Sequence, residues 1–372
     1  MYDEGGDDFH RRNRADFVQN KTYVDFTDKV LYNRQSMSEI RQEKTDITIA
    51  KGLGILLVVI GHILARGRPE GHDWFVEVMN LIYAFHMPFF MVISGYVFFR
   101  PGRVEKLYET YTSHLTKQTC RLLIPFFAMG IFVMFGKMAT SPFLHVDNKP
   151  EGMMTGLYNL FWNTDQSPSF FIWYIFVLYI YAIITPLAFR FLPKALYVCL
   201  GAGIVLYVLN PPHVLYLTML MPYFLFFMAG GLLRTYDDLY LTYLDQYKLL
   251  WILLFIASFA FYLAAPFDYK YIQLIIGLCS IPALHAVCRM LMDQQNTLRS
   301  GFYYLGQNTL VIYLFNTICI GVVKGILFLF ISWDGAAFFF FLPVLIAAGL
   351  IGPLVINYLW QQRYLILPRA SD

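Results

Sequence analysis

A lysine and a histidine stand at the two ends of one apolar stretch, KGLGILLVVIGH at 51–62. An imidazole can exchange a proton near neutral pH, and an ammonium group can bind an anion. Lys51 and His62 are eleven residues apart, or three helical turns plus about 20°, so both side chains point along nearly one line and are separated by about 16 Å of rise. Ionisable groups inside an apolar span usually face an interior or an aqueous cavity. The pair therefore predicts a polar line that faces into a helical bundle.

Each of the two groups also has a purely structural interpretation. Lys51 would then mark the membrane border, with its ammonium group extending to the inner surface. His62 would be hydrogen-bonded to a neighbouring helix. Their placement on one line favours the functional interpretation. A stripe of small residues beside that line would let another helix approach closely and also indicates a buried helix: Ala50, Gly54, Gly61 and Ala65.

Another ionisable group lies in the next apolar segment, FHMPFFMVISGY at 85–96. His86 lies about halfway across this predicted span. Pro88 removes one backbone donor and disfavours a straight helix. A kinked helix with a mid-membrane histidine, joined by a short loop to a helix that carries another, predicts a functional site between the two.

The composition is that of an integral membrane protein. Of the 372 residues, 58% are hydrophobic and only 14% are charged, whereas a soluble domain carries about 25% charged residues. The net charge of +3 gives no indication of a nucleic-acid partner, and the five cysteines show no metal-ligand spacing. Long apolar runs predict an all-α polytopic bundle of about ten transmembrane helices. They lie near 47–66, 74–99, 119–138, 168–189, 191–209, 213–233, 247–265, 270–292, 302–323 and 335–360.

Basic residues are concentrated in alternate loops, which predicts the orientation of the chain in the membrane. Both termini are expected in the cytoplasm, and the polar loop 139–167 on the outer side. The predicted parts are a polar cytosolic tail at 1–46, a membrane-embedded domain at 47–361 and a short cytosolic tail at 362–372. The sequence leaves open whether translation starts at Met1 or at Met37.

Five stretches together form a recognisable pattern that extends from about residue 46 to 316. They are DITIAKGLGILLVVIGH, FHMPFFMVISGY, CRLLIPFF at 120–127, FIWYIFVLY at 171–179 and YLGQNTLVIYLFN at 304–316. The pattern resembles the membrane-bound acyltransferase family 3 and, within it, the fucose 4-O-acetylase-like branch. The resemblance covers nearly the whole membrane part, and the combination of stretches is fairly specific.

The resemblance implies an O-acyltransferase that moves an acetyl or other small acyl group from a cytosolic thioester, usually acetyl-CoA, to a sugar hydroxyl. The implied acceptor is a cell-surface polysaccharide, such as a lipopolysaccharide O-antigen, or its lipid-linked precursor. The expected location is a bacterial inner membrane, and the expected partners are the lipid bilayer, the glycan acceptor and the acyl-CoA donor. Neither the sugar nor the oligomeric state can be derived from the sequence.

Esterification of a hydroxyl requires a base that takes the proton as the carbonyl is attacked, and histidine suits this role. We predict His62 as the base. His86 is expected to orient the substrate, stabilise the oxyanion or share the proton transfer. No metal is expected to take part.

The donor phosphates are expected at the basic inner face of the bundle. The residues predicted to bind them are Lys51, Arg121, Arg100 and Arg103. In the family the position of Lys51 is typically arginine. Lysine keeps the positive charge here but lacks the planar guanidinium group that can bind a phosphate through two hydrogen bonds. Many members carry a second arginine where this chain has Gln118. The loop charges have a simpler interpretation as determinants of topology alone.

Polar and aromatic side chains within the spans are predicted to line the substrate cavity: Trp173, Tyr174, Ser94, Asn308, Tyr313, Asn316 and Glu77. Plain packing is the alternative for the aromatic ones. Relatives often carry histidine at the position of Asn316, and an amide can only hydrogen-bond there. Glu77 has other options, since it could pair with Arg66 or Arg68 outside the membrane or orient His62.

Two other functions compete with an enzyme. A glycan exporter or lipid-linked sugar translocase would also suit a bundle with buried charges. Transporters often show two halves related by an inverted repeat, and the sequence shows no such halves. A purely structural membrane scaffold would not need ionisable side chains inside lipid. The concentration of polar motifs in the first two spans favours the enzyme.

Overall fold

The computed structural model describes residues 45–65, 68–100, 102–141, 149, 151–264 and 269–366, and all regular structure among them is helical. The helices are α1 Thr45–Leu64, α2 Trp74–Phe98, α3 Arg103–Glu109, α4 Tyr111–Gln118, α5 Ile124–Thr140, α6 Met153–Phe161, α7 Trp173–Phe191, α8 Ala195–Val208, α9 Leu217–Thr235, α10 Asp237–Gln246, α11 Lys248–Ala264, α12 Tyr269–Met292, α13 Thr297–Gln307, α14 Thr309–Leu327 and α15 Ala337–Ile366.

The contacts divide the chain into one unit of residues 1–47 and another of residues 48–372. Only the last three residues of the first unit are described, so the predicted tail at 1–46 lies almost wholly outside the described residues. The second unit contains the helical bundle. Helix α15 continues to Ile366, beyond the predicted domain end at 361, and the residues after it are not described.

Eight helices of the described residues are long and apolar enough to cross a membrane. The prediction of about ten spans differs at two places. Helix α8 has 14 residues, which is about 21 Å of rise, whereas the hydrocarbon core is about 30 Å thick. Helices α10 and α11 meet at an angle of 81° and form one broken span or a re-entrant segment, so the number of spans is eight, or nine with that pair.

Helix α8 is short because the chain at both of its ends cannot continue a helix. It follows Pro193 and Lys194, and Lys194 has a left-handed backbone with φ of 50°. After it come Pro211 and Pro212, which lack the backbone donor that a helix needs. The Lys270 ammonium group donates to the carbonyl oxygens of Val208 and Leu209 at 3.0 and 2.9 Å and so caps the exposed helix end.

Helix α1 lies very close to α2 and α13 where glycines leave no side chain in the way. A Cβ atom added at Gly306 of α13 would lie 1.8 Å from the carbonyl oxygen of Thr48, and one added at Gly54 would lie 2.5 Å from the Phe90 ring of α2. Within a bilayer, helices associate through such close packing rather than through the hydrophobic effect. Two of the predicted small residues, Gly54 and Gly61, face α2.

Helix α2 continues through Pro88 and crosses α9 at a second close approach. A Cβ atom at Gly95 would lie 2.0 Å from the carbonyl oxygen of Phe227, and one at Gly230 would lie 2.1 Å from that of Val92. The two backbones therefore touch, which fixes α2 between α1 and α9. This position holds Phe90 and His86 of α2 against Gly54 and Gly61 of α1.

A single π-helical turn, Thr119–Leu123, joins α4 to α5 in one continuous helix, Tyr111–Thr140. A π turn inserts one extra residue and rotates the side chains that follow it; such turns are frequent at functional sites. Arg121 lies within this turn. The turn packs against α7, and Arg121 is an exposed residue that lines the cavity described below.

Candidate active site

His62 lies near the C-terminal end of α1 and contacts α14. The Nδ1 atom of His62 lies 2.6 Å from the Asn316 amide oxygen and 3.1 Å from the Thr317 hydroxyl. Asn316 is fully buried, and its amide nitrogen donates to the carbonyl oxygens of Ile312 and Tyr313, each at 2.8 Å. His62 itself is half-buried. The structure thus places a histidine with a fixed partner on the helix where the sequence predicted a base.

His86 lies beside His62 but is more enclosed. It is 2% exposed, and its Nδ1 atom donates to the carbonyl oxygen of Ile82 at 2.7 Å. Its Nε2 atom faces Gly61, where an added Cβ would lie 3.2 Å away. The Tyr83 ring packs edge-on against His86, and its hydroxyl donates to the carbonyl oxygen of Gly61. His86 therefore packs against the backbone that carries His62.

A cavity of about 270 Å³ lies within the bundle beside Lys51 and is here called the inner cavity. Three basic side chains line it: Lys51 of α1, Arg103 of α3 and Arg121 of the π turn. Among the described residues that line it there is no acid. Burial lowers the pKa of Arg103, and the nearby charges of Arg100 and Arg121 lower it further. Such a concentration of like charge favours a bound anion.

Polar side chains cover the remaining wall of the inner cavity. Ser94 of α2 and Tyr174 of α7 both line it and share a short hydrogen bond between their hydroxyl groups. Tyr313 of α14 and Gln118 at the end of α4 also line it. Gln118 stands where the family resemblance implied a second arginine, and it adds an amide to the wall instead of a charge.

An aromatic wall of Phe171, Tyr174 and Tyr313 stands between the inner cavity and His62. The Tyr313 hydroxyl donates to the carbonyl oxygen of Phe171 at 2.7 Å and accepts from the backbone N–H of Tyr174 at 3.2 Å. The Phe171 ring packs edge-on against His62, with 6.0 Å between ring centroids. Tyr174 and Tyr313 line the inner cavity, whereas His62 does not. A ligand bound by the basic groups would therefore have to pass this wall to reach the imidazole.

Four predicted site residues lie elsewhere. Trp173 is buried and stacks on Tyr223 of α9 at 4.9 Å, on a different side from the inner cavity. Arg100 is exposed and is not among the residues that line the cavity, although its charge acts on Arg103. The other two, Asn308 and Glu77, also make contacts away from it.

Asn308 lies at the junction of α13 and α14. Its side chain donates to the carbonyl oxygen of Tyr304 at 2.9 Å and accepts from Asn357 of α15 at 3.3 Å. This places the amide towards the last helix and not among the lining residues of the cavity. Thr309, the next residue, does line the cavity, and consecutive residues of a helix differ by about 100° in direction.

Glu77 accepts a hydrogen bond from the Tyr262 hydroxyl of α11 at 2.7 Å. Arg68, one of its predicted partners, instead pairs with Asp73 at 2.8 Å. The other predicted partner, Arg66, lies outside the described residues. Glu77 is exposed and lies in the first turn of α2. Among the described residues, the structure shows no hydrogen bond from Glu77 to Arg68 or His62.

Comparison with known proteins identifies the family. A family model described as an acyltransferase domain, Acyl_transf_3, matches residues 44–358. The chain belongs to acyltransferase family 3. The match includes α1 to α14 and most of α15, and with them His62, Asn316 and the inner cavity. The family resemblance of the sequence motifs is thereby confirmed.

Two relatives of this acyltransferase-family chain are each named nodulation protein NolL. The protein from Mesorhizobium japonicum is 40% identical over 78 residues, which is 20% of each chain. The protein from Sinorhizobium fredii is 33% identical over 113 residues, which is 29% of each chain. The matched part thus spans less than a third of the length of these relatives. No solved structure matches the chain significantly.

Two features of this acyltransferase-family site have no signal in the sequence. The π turn at Thr119–Leu123 occurs in TCRLL, a stretch that is apolar and basic like the helix on either side. Thr317 contacts His62 only because α14 packs beside α1, 255 residues apart in the chain. Among the described residues, no group of three side chains could hold a metal ion.

Proposed function

We propose that this protein is an integral membrane O-acyltransferase that transfers an acetyl or other small acyl group from acetyl-CoA to a sugar hydroxyl. The acceptor would be a cell-surface polysaccharide or its lipid-linked precursor, and the location a bacterial inner membrane. One observation carries the proposal. A histidine with a fixed hydrogen-bond partner lies on the same helix as a lysine that lines a basic cavity.

The inner cavity supplies the chemistry for binding the donor. The phosphate groups of acetyl-CoA would meet Lys51, Arg103 and Arg121, because charge-assisted hydrogen bonds to phosphate are about twice as strong as neutral ones. At about 270 Å³ the cavity is smaller than a typical pocket for a whole drug-sized ligand, at about 300–1,000 Å³. It would therefore hold part of the donor, with the nucleotide end remaining at the inner surface.

The chemical step follows from the position of His62. As the acceptor oxygen attacks the thioester carbonyl, the proton of its hydroxyl moves to the Nε2 atom of the imidazole, and the tetrahedral intermediate forms. The C–S bond then breaks, and the leaving thiolate takes the proton back from Nε2. The products are the sugar ester and free CoA thiol, and His62 returns to its neutral form.

The distance between the two groups requires the acyl arm of the donor to extend outward through the bundle. Lys51 and His62 are separated by about 16 Å along α1. The arm would enter past Tyr174 and Tyr313, whose side chains must move to admit it. With both termini in the cytoplasm, as we propose, the ester would form in the outer half of the membrane while the donor stays cytosolic.

The experiment uses the purified protein in liposomes, supplied with radiolabelled acetyl-CoA and with surface polysaccharide from cells that lack the protein. We expect radiolabelled ester on the polysaccharide, identified by mass spectrometry and NMR. In the His62→Ala variant, transfer should fall by about 10²–10⁴-fold, the range for loss of a general base, while insertion into the membrane is unchanged.

His285→Ala is the matched control. His285 is also buried in the bundle, where its Nδ1 atom bonds to the Tyr240 hydroxyl at 2.9 Å, and it does not line the inner cavity. Its replacement should leave acyl transfer within about twofold. Full ester formation by His62→Ala would overturn the assignment of the base, and unlabelled polysaccharide with the unaltered protein would overturn the proposed function.

A further inference from the structure

The Asn316 side chain can be oriented in only one way. Its Nδ2 atom lies 2.8 Å from two carbonyl oxygens, those of Ile312 and Tyr313. If the amide were flipped, its oxygen would face two other oxygens with no hydrogen between them. The Oδ1 atom must therefore be the one that faces His62, although nitrogen and oxygen are otherwise hard to distinguish in such groups.

The orientation of the amide decides the tautomer of His62. An amide oxygen accepts hydrogen bonds and cannot donate one. The His62 Nδ1 atom, 2.6 Å from that oxygen, must then carry the hydrogen. Neutral imidazole has only one N–H, so Nε2 holds the lone pair. His62 is therefore already in the tautomer whose Nε2 atom can accept a proton before any substrate binds.

Thr317 supports the same arrangement. Its hydroxyl lies 3.1 Å from the Asn316 oxygen and donates to it. The same hydroxyl oxygen lies 3.1 Å from the His62 Nδ1 atom, so it can also accept from that N–H. The three side chains form a closed cluster in which Nδ1 faces two acceptors, and an unprotonated Nδ1 would be disfavoured.

We propose that Asn316 is the positioning residue of the site: it holds His62 in the Nδ1–H tautomer so that Nε2 is the nitrogen that takes the acceptor proton. This inference rests on the proposed acyl transfer. Asn316 would not exchange a proton itself. The Nδ1–H stays in place while Nε2 gains the proton from the acceptor hydroxyl and then gives it to the leaving thiolate.

The test reads the tautomer directly, without turnover. Protein with ¹⁵N-labelled histidine is reconstituted in liposomes, and solid-state NMR distinguishes protonated from unprotonated ring nitrogens. The chain has eight histidines, so the His62 signals are identified by their loss in His62→Gln. We expect a protonated Nδ1 and an unprotonated Nε2 in the unaltered protein at neutral pH.

Two variants separate positioning from folding. In Asn316→Leu the nearer acceptor is lost, and the Thr317 hydroxyl, which no longer donates to Asn316, can donate to Nδ1 instead. The Nε2–H tautomer should therefore appear, and kcat should fall on the order of 10–100-fold, as expected for misplaced catalytic groups. The Michaelis constant for acetyl-CoA should stay within about twofold. Asn316→Asp can keep an acceptor oxygen towards His62 as the protonated acid, whose hydroxyl donates to one of the two carbonyl oxygens that the amide served. It should retain the Nδ1–H tautomer and recover part of kcat. Asn357→Leu, on α15, is the control and should change neither.

The outcomes distinguish the two proposals. A His62 with Nε2–H in the unaltered protein, or a tautomer unchanged in Asn316→Leu, would overturn the positioning role even if acyl transfer is observed. The expected tautomers without any acyl transfer would support the positioning role and overturn the proposed function. If Asn316→Leu fails to fold, the tautomer in the unaltered protein and in Asn316→Asp still decides.

Discussion

Lys51 and His62 lie on one helix, but side chains from other helices complete the surroundings of each. Arg103 of α3 and Arg121 of the π turn line the inner cavity together with Lys51. Asn316 of α14 comes to His62. The helix α1 thus connects a basic end, suited to an anion, with an imidazole end, suited to proton transfer.

The charge of Lys51 should matter more than its shape. In Lys51→Leu we expect the Michaelis constant for acetyl-CoA to rise by about tenfold, because one charge-assisted hydrogen bond to phosphate, worth about 1.5–3 kcal/mol, is lost. Lys51→Arg should retain most of the activity, since it keeps the charge. The measurement is acyl transfer at varied acetyl-CoA.

Lys117→Leu is the matched control for this prediction. Lys117 is exposed at the end of α4 and does not line the inner cavity. Its loss removes the same charge next to Gln118, which does line the cavity, and should leave the Michaelis constant within about twofold. Equal effects in Lys117→Leu and Lys51→Leu would argue for a general effect of charge and against a specific role of Lys51.

At the level of single residues, the sequence could predict how side chains on the same helix are placed relative to one another. The spacing of Lys51 and His62 fixes their common line, because it depends only on the helical repeat. The partner of His62 is 254 residues away in the chain, so no local pattern could indicate it. Asn316 was predicted near the substrate cavity, and its contact with the imidazole follows only from the packing of α14.

Helix α2 is held by close contacts on two sides, with α9 through the backbones and with α1 through the Phe90 and His86 rings. Gly54 and Gly61 of α1 face it on one side, and the mutual approach of Gly95 and Gly230 joins it to α9 on the other. His86, Ser94 and their neighbours thus belong to a helix with little freedom to shift. A site assembled on such an element keeps its geometry when a ligand enters.

The crossing of α2 and α9 should be sensitive to a single methyl group. Gly95→Ala would place a Cβ atom 2.0 Å from the carbonyl oxygen of Phe227, so the helices must separate. We expect a loss of about 1–3 kcal/mol in stability, the usual range for overpacking, seen as a lower melting temperature in detergent.

Gly136→Ala on α5 provides the comparison. No atom of the described residues lies within 4 Å of a Cβ atom added there. The melting temperature should stay the same or rise slightly, because alanine favours a helix over glycine by about 1 kcal/mol. Equal melting temperatures for Gly95→Ala and Gly136→Ala would contradict the close crossing.

At the level of elements, apolar runs located the helices but not their lengths or bends. The predicted span at 191–209 is a 14-residue helix, because two prolines follow it and a left-handed residue precedes it. The predicted span at 247–265 begins at a sharp bend, since α10 and α11 meet at 81°. The π turn could not be predicted, because one extra residue leaves the hydrophobic pattern almost unchanged.

The orientation of the whole molecule depends on whether α8 and the α10–α11 pair each cross the bilayer. Eight long spans and both of these elements give ten crossings and place the two termini on the same side. If one of the two elements does not cross, the termini lie on opposite sides. The distribution of basic residues favours ten crossings.

Fluorescent-protein fusions and cysteine labelling can measure this orientation. We expect green fluorescent protein, which matures in the cytoplasm, to fluoresce when it is fused to either terminus. Asp165 lies in the described part of the 139–167 loop and pairs with His213. A cysteine introduced at position 165 should react with a membrane-impermeant reagent added outside the cell. If the N-terminal fusion fluoresces and the C-terminal fusion does not, the number of crossings is odd.

The aromatic wall of Phe171, Tyr174 and Tyr313 bears on how well the membrane remains sealed. A water-filled path from the basic cavity to the imidazole, and from there to the far surface, would conduct protons and discharge the electrochemical gradient that drives the cell. Under the proposed function, rings that close this path between turnovers would let the protein use a donor from one side of the membrane without a proton leak. The same closure would keep water from hydrolysing the activated acyl group.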